Sequence, residues 1–375
     1  MRGSYCYMPI LPARYGAFRA VATLSPIGRS RIAPMFEIPN VVLQANQTID
    51  SYLEKRAREI QNCWEPNRVS YLDVYSLPLD WYTTSGNLPL LFLVDYLRAR
   101  RSRVVPVTGS VLDRGPAYLH AVRGVSQPEG VCLRLARDEL LEPKLLSSSL
   151  RETIEILKLD PSQIDVVLDF RYVGNDNSEF LRAAALEALR VVAGVAVFRN
   201  LSIAASSVPD LLPKKDQGKI RRERRRDFDL WAAILELRQD GHPMPFCDYG
   251  VVGAHYVQPG KPVTTPARIR YTTQEEHIFL RGAPNEHSLI SKQLLGLSEF
   301  QGALYSVGDQ RLYESANGRT GPGTAALWVG YDTNHHLEFV SQQVWNVLSS
   351  RGLANLFSLS EPSHQPWLQP KLFAL

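Results

Sequence analysis

Ile164-Asp165-Val166-Val167-Leu168-Asp169-Phe170 decides the fold class of this 375-residue chain. The run is rich in β-branched and aromatic residues and too short for a helix, so it reads as a buried strand. Near-continuous apolar strands of this kind belong to parallel sheets covered on both faces. The stretch that follows, Glu179 to Val192, reads as a strongly apolar helix, completing one strand-helix unit.

The same alternation recurs on both sides of it. Upstream, strands are predicted over Arg31 to Glu37, Val69 to Val74, Val104 to Thr108 and Val131 to Leu135. Between them lie helices over Ile49 to Cys63, Leu90 to Arg100, Tyr118 to Val122 and Leu150 to Leu157. The first carries the stripe Ile49, Leu53, Ala57 and Ile60 on one face, with Asn46 or Thr48 as its cap. Downstream, Val195 to Phe198, Phe246 to Val252 and Ile269 to Thr272 are predicted strands, and a long helix is expected over Gly218 to Leu237. About eight strands at this spacing favour a (β/α)8 TIM-barrel-like single domain over residues 1–375, with a doubly wound open sheet as the rival. The Gly-rich stretch after Leu280 either completes the barrel or forms an appended C-terminal lobe over 300–375.

Composition sets outer bounds. Hydrophobic residues make up 45% and charged residues 21%, as in a globular protein. No apolar run approaches the ~18 residues needed to span a bilayer, so no membrane role is expected. Four scattered cysteines fit reduced thiols in the cytoplasm better than a disulfide framework. The net charge of +4 does not by itself imply nucleic acid.

In a barrel, functional groups gather at the carboxyl ends of the strands. Glu37, Asp73, Asp169, Arg171, Asp248 and Arg270 fall there, with Arg134 and Arg137 at the end of the fourth strand. Such a rim suits either a divalent cation or a phosphate held by guanidinium forks. Equally, strand-end aspartates cap turns, and Asp–Arg pairs neutralise one another. Lys214 to Arg226, including Lys219, Arg221, Arg222 and Arg225, reads as a basic helix able to grip a phosphate backbone or to sit as a solvated face. His335 and His336 are adjacent and so cannot form the i, i+4 pair of a zinc helix; a helix is expected to start beside them, capped by Asn334 or Thr333. Neither a G-x-S-x-G elbow nor an H-E-x-x-H zinc helix occurs.

Short motifs in a fixed order resemble the protein beta family of bacteria and phages. They are Tyr7-Met8-Pro9-Ile10-Leu11, Arg14-Tyr15-Gly16, Pro34-Met35-Phe36-Glu37-Ile38-Pro39, Asp248-Tyr249-Gly250, Arg268-Ile269-Arg270-Tyr271-Thr272 and Thr333-Asn334-His335-His336-Leu337. The family's glutamate after the early glycine stands here as Ala17. The resemblance implies a barrel-like single domain and a part in phage–host conflict, without a reaction. It singles out Glu37, Asp248, Arg270, Tyr271 and His335. Two functions are carried forward. One is a binding or effector-associated component recognising a phosphorylated ligand, nucleic acid or partner protein. The other is a metal-dependent phosphodiesterase or nuclease, with Asp73 and Asp169 on a divalent cation and Glu37, Asp248 and His335 catalytic. The Pro-rich tail (Pro362, Pro366, Pro370) is either a docking segment or a surface wrap.

Overall fold

The run that opens at Ile164 becomes the longest strand of a closed parallel barrel. A computed structural model describes residues 4–44, 46–210, 216–237, 244–254 and 265–359. In chain order its strands are β1 (Tyr7–Pro12), β2 (Met35–Glu37), β3 (Ser70–Asp73), β4 (Val104–Thr108), β5 (Val131–Ala136), β6 (Ile164–Tyr172), β7 (Asn200–Ser206), β8 (Ile220–Arg224), β9 (Phe246–Asp248), β10 (Arg268–Thr272) and β11 (Glu276–Arg281). The barrel order is β1-β2-β3-β4-β5-β6-β7-β9, and β9 closes on β1 through Tyr7 opposite Phe246 and Pro9 opposite Asp248. The remaining strands form an antiparallel sheet, β10-β11-β8, beside the barrel.

Alternation along each strand sorts side chains into two cores. Met8, Met35, Tyr71, Val107, Cys132 and Val167 fill the barrel interior. The opposite faces pack under the surrounding helices, as with Phe36, Leu168 and Phe246. The helix Ile49–Cys63 forms where its stripe predicts, and Thr48 and Ser51 cap it reciprocally. The four cysteines are all buried and form no disulfide. Among the described residues no helix is long and apolar enough to cross a membrane.

Four expectations need correction. The strand expected at Val195 to Phe198 lies later, at β7, because the preceding helix (Ser178–Val195) runs on through Val195. Pairing begins only at Arg199, whose amide donates to the Ile164 carbonyl. The basic segment is not a helix: Ile220–Arg224 is a strand, and the helix starts at Arg226. Its exposure alternates residue by residue, and Arg222 reaches across to Glu276. Lys214 and Lys215 lie outside the described residues, as does the Pro-rich tail. The segment Ile269 to Thr272 belongs to β10 of the side sheet, where a tight turn (Thr273 amide to Glu276 carbonyl) returns the chain as β11. Its expected barrel place is taken by β1 at the amino-terminal end. Finally, His335 and His336 sit mid-helix, because the helix Ala325–Ser350 begins a full ten residues earlier at its Thr324 cap. That long helix packs between the barrel's first helix (Tyr15–Ala22) and the side sheet. Gly16 and Gly330 permit the close crossing: a Cβ on Gly16 would lie 2.9 Å from the Ala326 carbonyl oxygen.

Candidate functional site

Three strand ends share one local device. Asp73 accepts the amide of Tyr75 at 2.8 Å, Asp169 that of Arg171 at 3.0 Å, and Asp248 that of Gly250 at 3.1 Å. An aspartate that bonds its own backbone two residues on sets a sharp turn. At Arg171 the turn holds a non-glycine residue at φ 58°, a conformation kept only where surroundings enforce it.

On the barrel's inner face Asp73 and Asp169, with Glu37 of β2, converge on Arg134 of β5. Its Nε donates to Asp169 Oδ2 at 2.8 Å and its Nη1 to Glu37 Oε2 at 2.7 Å and to Asp73 Oδ2. Its Nη2 donates to the Tyr249 hydroxyl at 2.7 Å, and that hydroxyl donates onward to Asp169. The Ser76 hydroxyl completes Glu37. Burial disfavours the charge on Arg134, but Tyr249, Asp169, Asp73 and Glu37 outweigh it and hold the guanidinium protonated. Burial also pushes the carboxyls up. Arg134 and its neighbours reverse this at Glu37 and Asp169, which end below their ordinary values, but not at Asp73, which ends above.

Above this floor opens a mouth of about 1180 Å³. Five cationic side chains line it (Arg14, Lys55, Arg56, Arg137 and Arg171) against two carboxylates, Glu37 and Asp138. Arg137 is tied to Asp176 by two bonds of 2.8 and 3.0 Å. Arg171 is held more loosely, 3.3 Å from Asp169 and 3.3 Å from the Ala254 carbonyl, with its guanidinium 4.2 Å from the Tyr75 ring centroid. A guanidinium has five N–H donors, so Arg171 keeps donors to offer.

Of the residues singled out from sequence, Glu37, Asp73, Asp169 and Arg171 meet at this mouth. Asp248, His335, Arg270, Tyr271 and Arg225 do not. They lie in a seam between the barrel's outer face, the long helix and the side sheet. Asp248 follows Cys247 on β9, so it points outward while Cys247 and Tyr249 point in. There it accepts from the Tyr7 hydroxyl at 2.7 Å and faces His336 Nε2 at 2.9 Å. Burial raises its carboxyl, but His336 and Tyr7 outweigh this and leave it below its ordinary value. His336 Nδ1 lies 2.8 Å from the Thr272 hydroxyl. Its neighbour His335 turns the other way, with Nε2 2.9 Å from the Thr272 carbonyl and Nδ1 2.8 Å from Asp309. A carbonyl only accepts, so His335 Nε2 carries a hydrogen. Tyr271 stacks on His335 at 3.8 Å and donates to Asp309 at 2.7 Å. Arg270 pairs with buried Asp332 at 3.5 Å. Arg225 donates to the Thr273 carbonyl at 3.0 Å and is buried.

Arg221 and Arg222 stand apart from both groups along β8, with Lys219 just before it. Arg221 pairs with Asp216 and Glu223, and Arg222 with Glu276 and Glu299 at 2.9 and 2.6 Å. Sequence reasoning missed Tyr249, Tyr75 and Ser76 as partners of the rim. The usable signal for Tyr249 was the parity of β9, which puts Tyr249 and not Asp248 inside.

Among the described residues no group of three or more His, Cys, Asp or Glu is disposed to hold a metal ion. Where the mouth carboxylates converge, a guanidinium fills the focus. Fold and mouth together define an α/β barrel with an arginine-centred carboxyl end. The Beta protein family model matches residues 7–342, and the chain belongs to that family. No curated protein and no solved structure matches it.

Proposed function

We propose that this is a cytoplasmic binding component whose barrel mouth recognises a phosphorylated ligand. The observation that carries the reading is Arg171: a guanidinium held at a strained turn, stacked on Tyr75, and keeping N–H donors at the rim of a cation-lined mouth. Guanidinium forks match phosphate oxygens two bonds at a time. Arg134 beneath it bonds through every nitrogen and serves as a rigid floor. A part in phage–host conflict, alone or beside a partner protein, rests on family membership and adds no residue to the site. The hydrolase alternative asks Asp73 and Asp169 to bind a divalent cation beside a catalytic Glu37, and Arg134 already bonds all three. Nucleic-acid recognition by the basic segment loses support because Arg221 and Arg222 have acidic partners.

Calorimetric titration of the full chain with inorganic pyrophosphate tests the reading. Saturable binding is expected, weakened by about tenfold or more in Arg171→Met, the scale of one charge-assisted hydrogen bond. No saturable binding of pyrophosphate or any phosphorylated compound to the wild-type chain would remove it.

A further inference from the structure

Three cations approach one aromatic ring at the mouth. The Tyr75 ring centroid lies 4.2 Å from the guanidinium carbon of Arg171, 5.1 Å from that of Arg134 and 5.5 Å from that of Arg114. Arg114 ends the short helix Val111–Arg114 that follows β4, and its guanidinium also lies 5.5 Å from the Tyr118 ring. Tyr75 lines the mouth and Arg114 does not, so Arg114 lies behind that lining.

The three cations are unequally satisfied. The floor's carboxylates are bound to Arg134. Arg114 makes no hydrogen bond to a described residue, although its side chain is only 5% exposed. Its Nε comes within 2.9 Å of Asp113 Oδ2, but the two are not aligned to bond, and neither atom has another partner among the described residues. Asp113 therefore balances the charge of Arg114 and leaves its terminal N–H donors without an acceptor. The other deeply buried guanidinium groups, of Arg29 and Arg225, each donate to a carbonyl. The Tyr118 hydroxyl is sealed from solvent and has no described partner either. A ring face answers a cation's charge but offers no oxygen to its donors.

Little holds the Tyr75 ring in place. Its backbone amide is fixed by Asp73, but its hydroxyl makes no hydrogen bond to a described residue and the residue is 37% exposed. A change of side-chain rotamer would move the ring and leave that turn intact. We infer that the Tyr75 ring covers an inner anion subsite, and that the ligand displaces it to set one phosphate on Arg171 and a second, directly linked phosphate on Arg114. Two guanidinium groups that approach the same ring are near enough for a diphosphate to span, and the Tyr118 hydroxyl adds a third donor. The inference rests on the phosphorylated-ligand reading above and narrows the ligand to a diphosphate.

The experiment compares inorganic pyrophosphate with orthophosphate by calorimetry on the full chain. The wild type is expected to bind pyrophosphate about tenfold or more tighter, the scale of one added charge-assisted hydrogen bond. In Arg114→Met that ratio is expected to fall towards one while orthophosphate binding is kept, which also shows that the variant folds. Tyr75→Ala, at a part-exposed position, removes the cover and leaves every donor in place. It is expected to bind pyrophosphate tighter than the wild type, because no ring has to be displaced. Equal binding of the two anions by the wild type, or a preference that survives Arg114→Met, would overturn the inference and leave the phosphate reading standing. Weaker pyrophosphate binding in Tyr75→Ala would overturn the role of the ring as a cover. No saturable binding of either anion would overturn the inference, and the same silence from every other phosphorylated compound would take the reading beneath it.

Discussion

At the mouth, one arginine meets three carboxylates and a tyrosine while a second arginine beside it remains loosely held. In the seam, each ring nitrogen of His335 and His336 has a partner within the protein, and both imidazoles are fully buried. Both regions are made of charged and polar groups taken out of water, and each must satisfy them internally. The seam satisfies its histidines and closes, joining barrel, long helix and side sheet. The mouth satisfies its floor but leaves polar capacity on its walls. Residue type does not distinguish them, since aspartate, arginine and tyrosine occur in both. What distinguishes them is whether anything covers the group: the long helix lies over Asp248, and the cavity lies over the Arg134 floor.

The largest effect should come from removing the mouth's centre. Arg134→Met leaves Glu37, Asp73 and Asp169 without their shared cation, and a stability loss of about 3–5 kcal/mol is expected in denaturant unfolding. A loss below about 1 kcal/mol would show that water or another cation replaces the guanidinium. The second test probes the seam through pH. Burial lifts the Asp332 carboxyl to about 7, against the opposing pull of Arg270. The folded state therefore keeps this proton where the unfolded chain has lost it, so the contribution of Asp332 to stability falls as pH rises from about 4 to about 7. The fall amounts to at most about 4 kcal/mol, and Asp332→Asn should flatten it in unfolding curves taken across that range. At the mouth Glu37 and Asp169 slope the other way, losing their contribution as pH falls through their depressed folded values, while the raised carboxyl of Asp73 slopes with Asp332. An unchanged slope in the variant would place the titration outside the seam. The smallest effect belongs to neither region. Arg222→Ala on the half-exposed strand β8 should cost about 0–1 kcal/mol, as surface ion pairs do. A larger loss would show that β8 depends on its cross-strand charges.

The barrel was legible because its strands are short apolar runs and its helices carry clean stripes, as at Ile164 and at Ile49–Cys63. It was misread where pairing partners decide. Ile220–Arg224 has a helix former's composition, yet it runs as a strand because β11 offers it a ladder. Tyr7–Pro12 carries two prolines, a composition that argues against a central strand, and still fills a place between β2 and β9. At the site, residue type and strand-end position found Glu37, Asp73, Asp169 and Arg171. They failed for Asp248 because facing depends on one-residue parity, and a one-residue uncertainty in a strand's end exchanges inside for outside. The seam's partners come from segments distant in the chain, from 26 positions for Asp309 and His335 to 329 for Tyr7 and His336, and no local pattern announces them.

The turns at Asp73, Asp169 and Asp248 bear on how this protein could diversify. Each aspartate fixes the backbone only as far as the second residue beyond it. Chain past Ser76, Val173 and Gly250 can therefore be lengthened, shortened or exchanged without disturbing the three anchors. Two of those anchors also hold Arg134, so the floor stays in register while the loops around it change. The barrel end works as a socket with interchangeable rims.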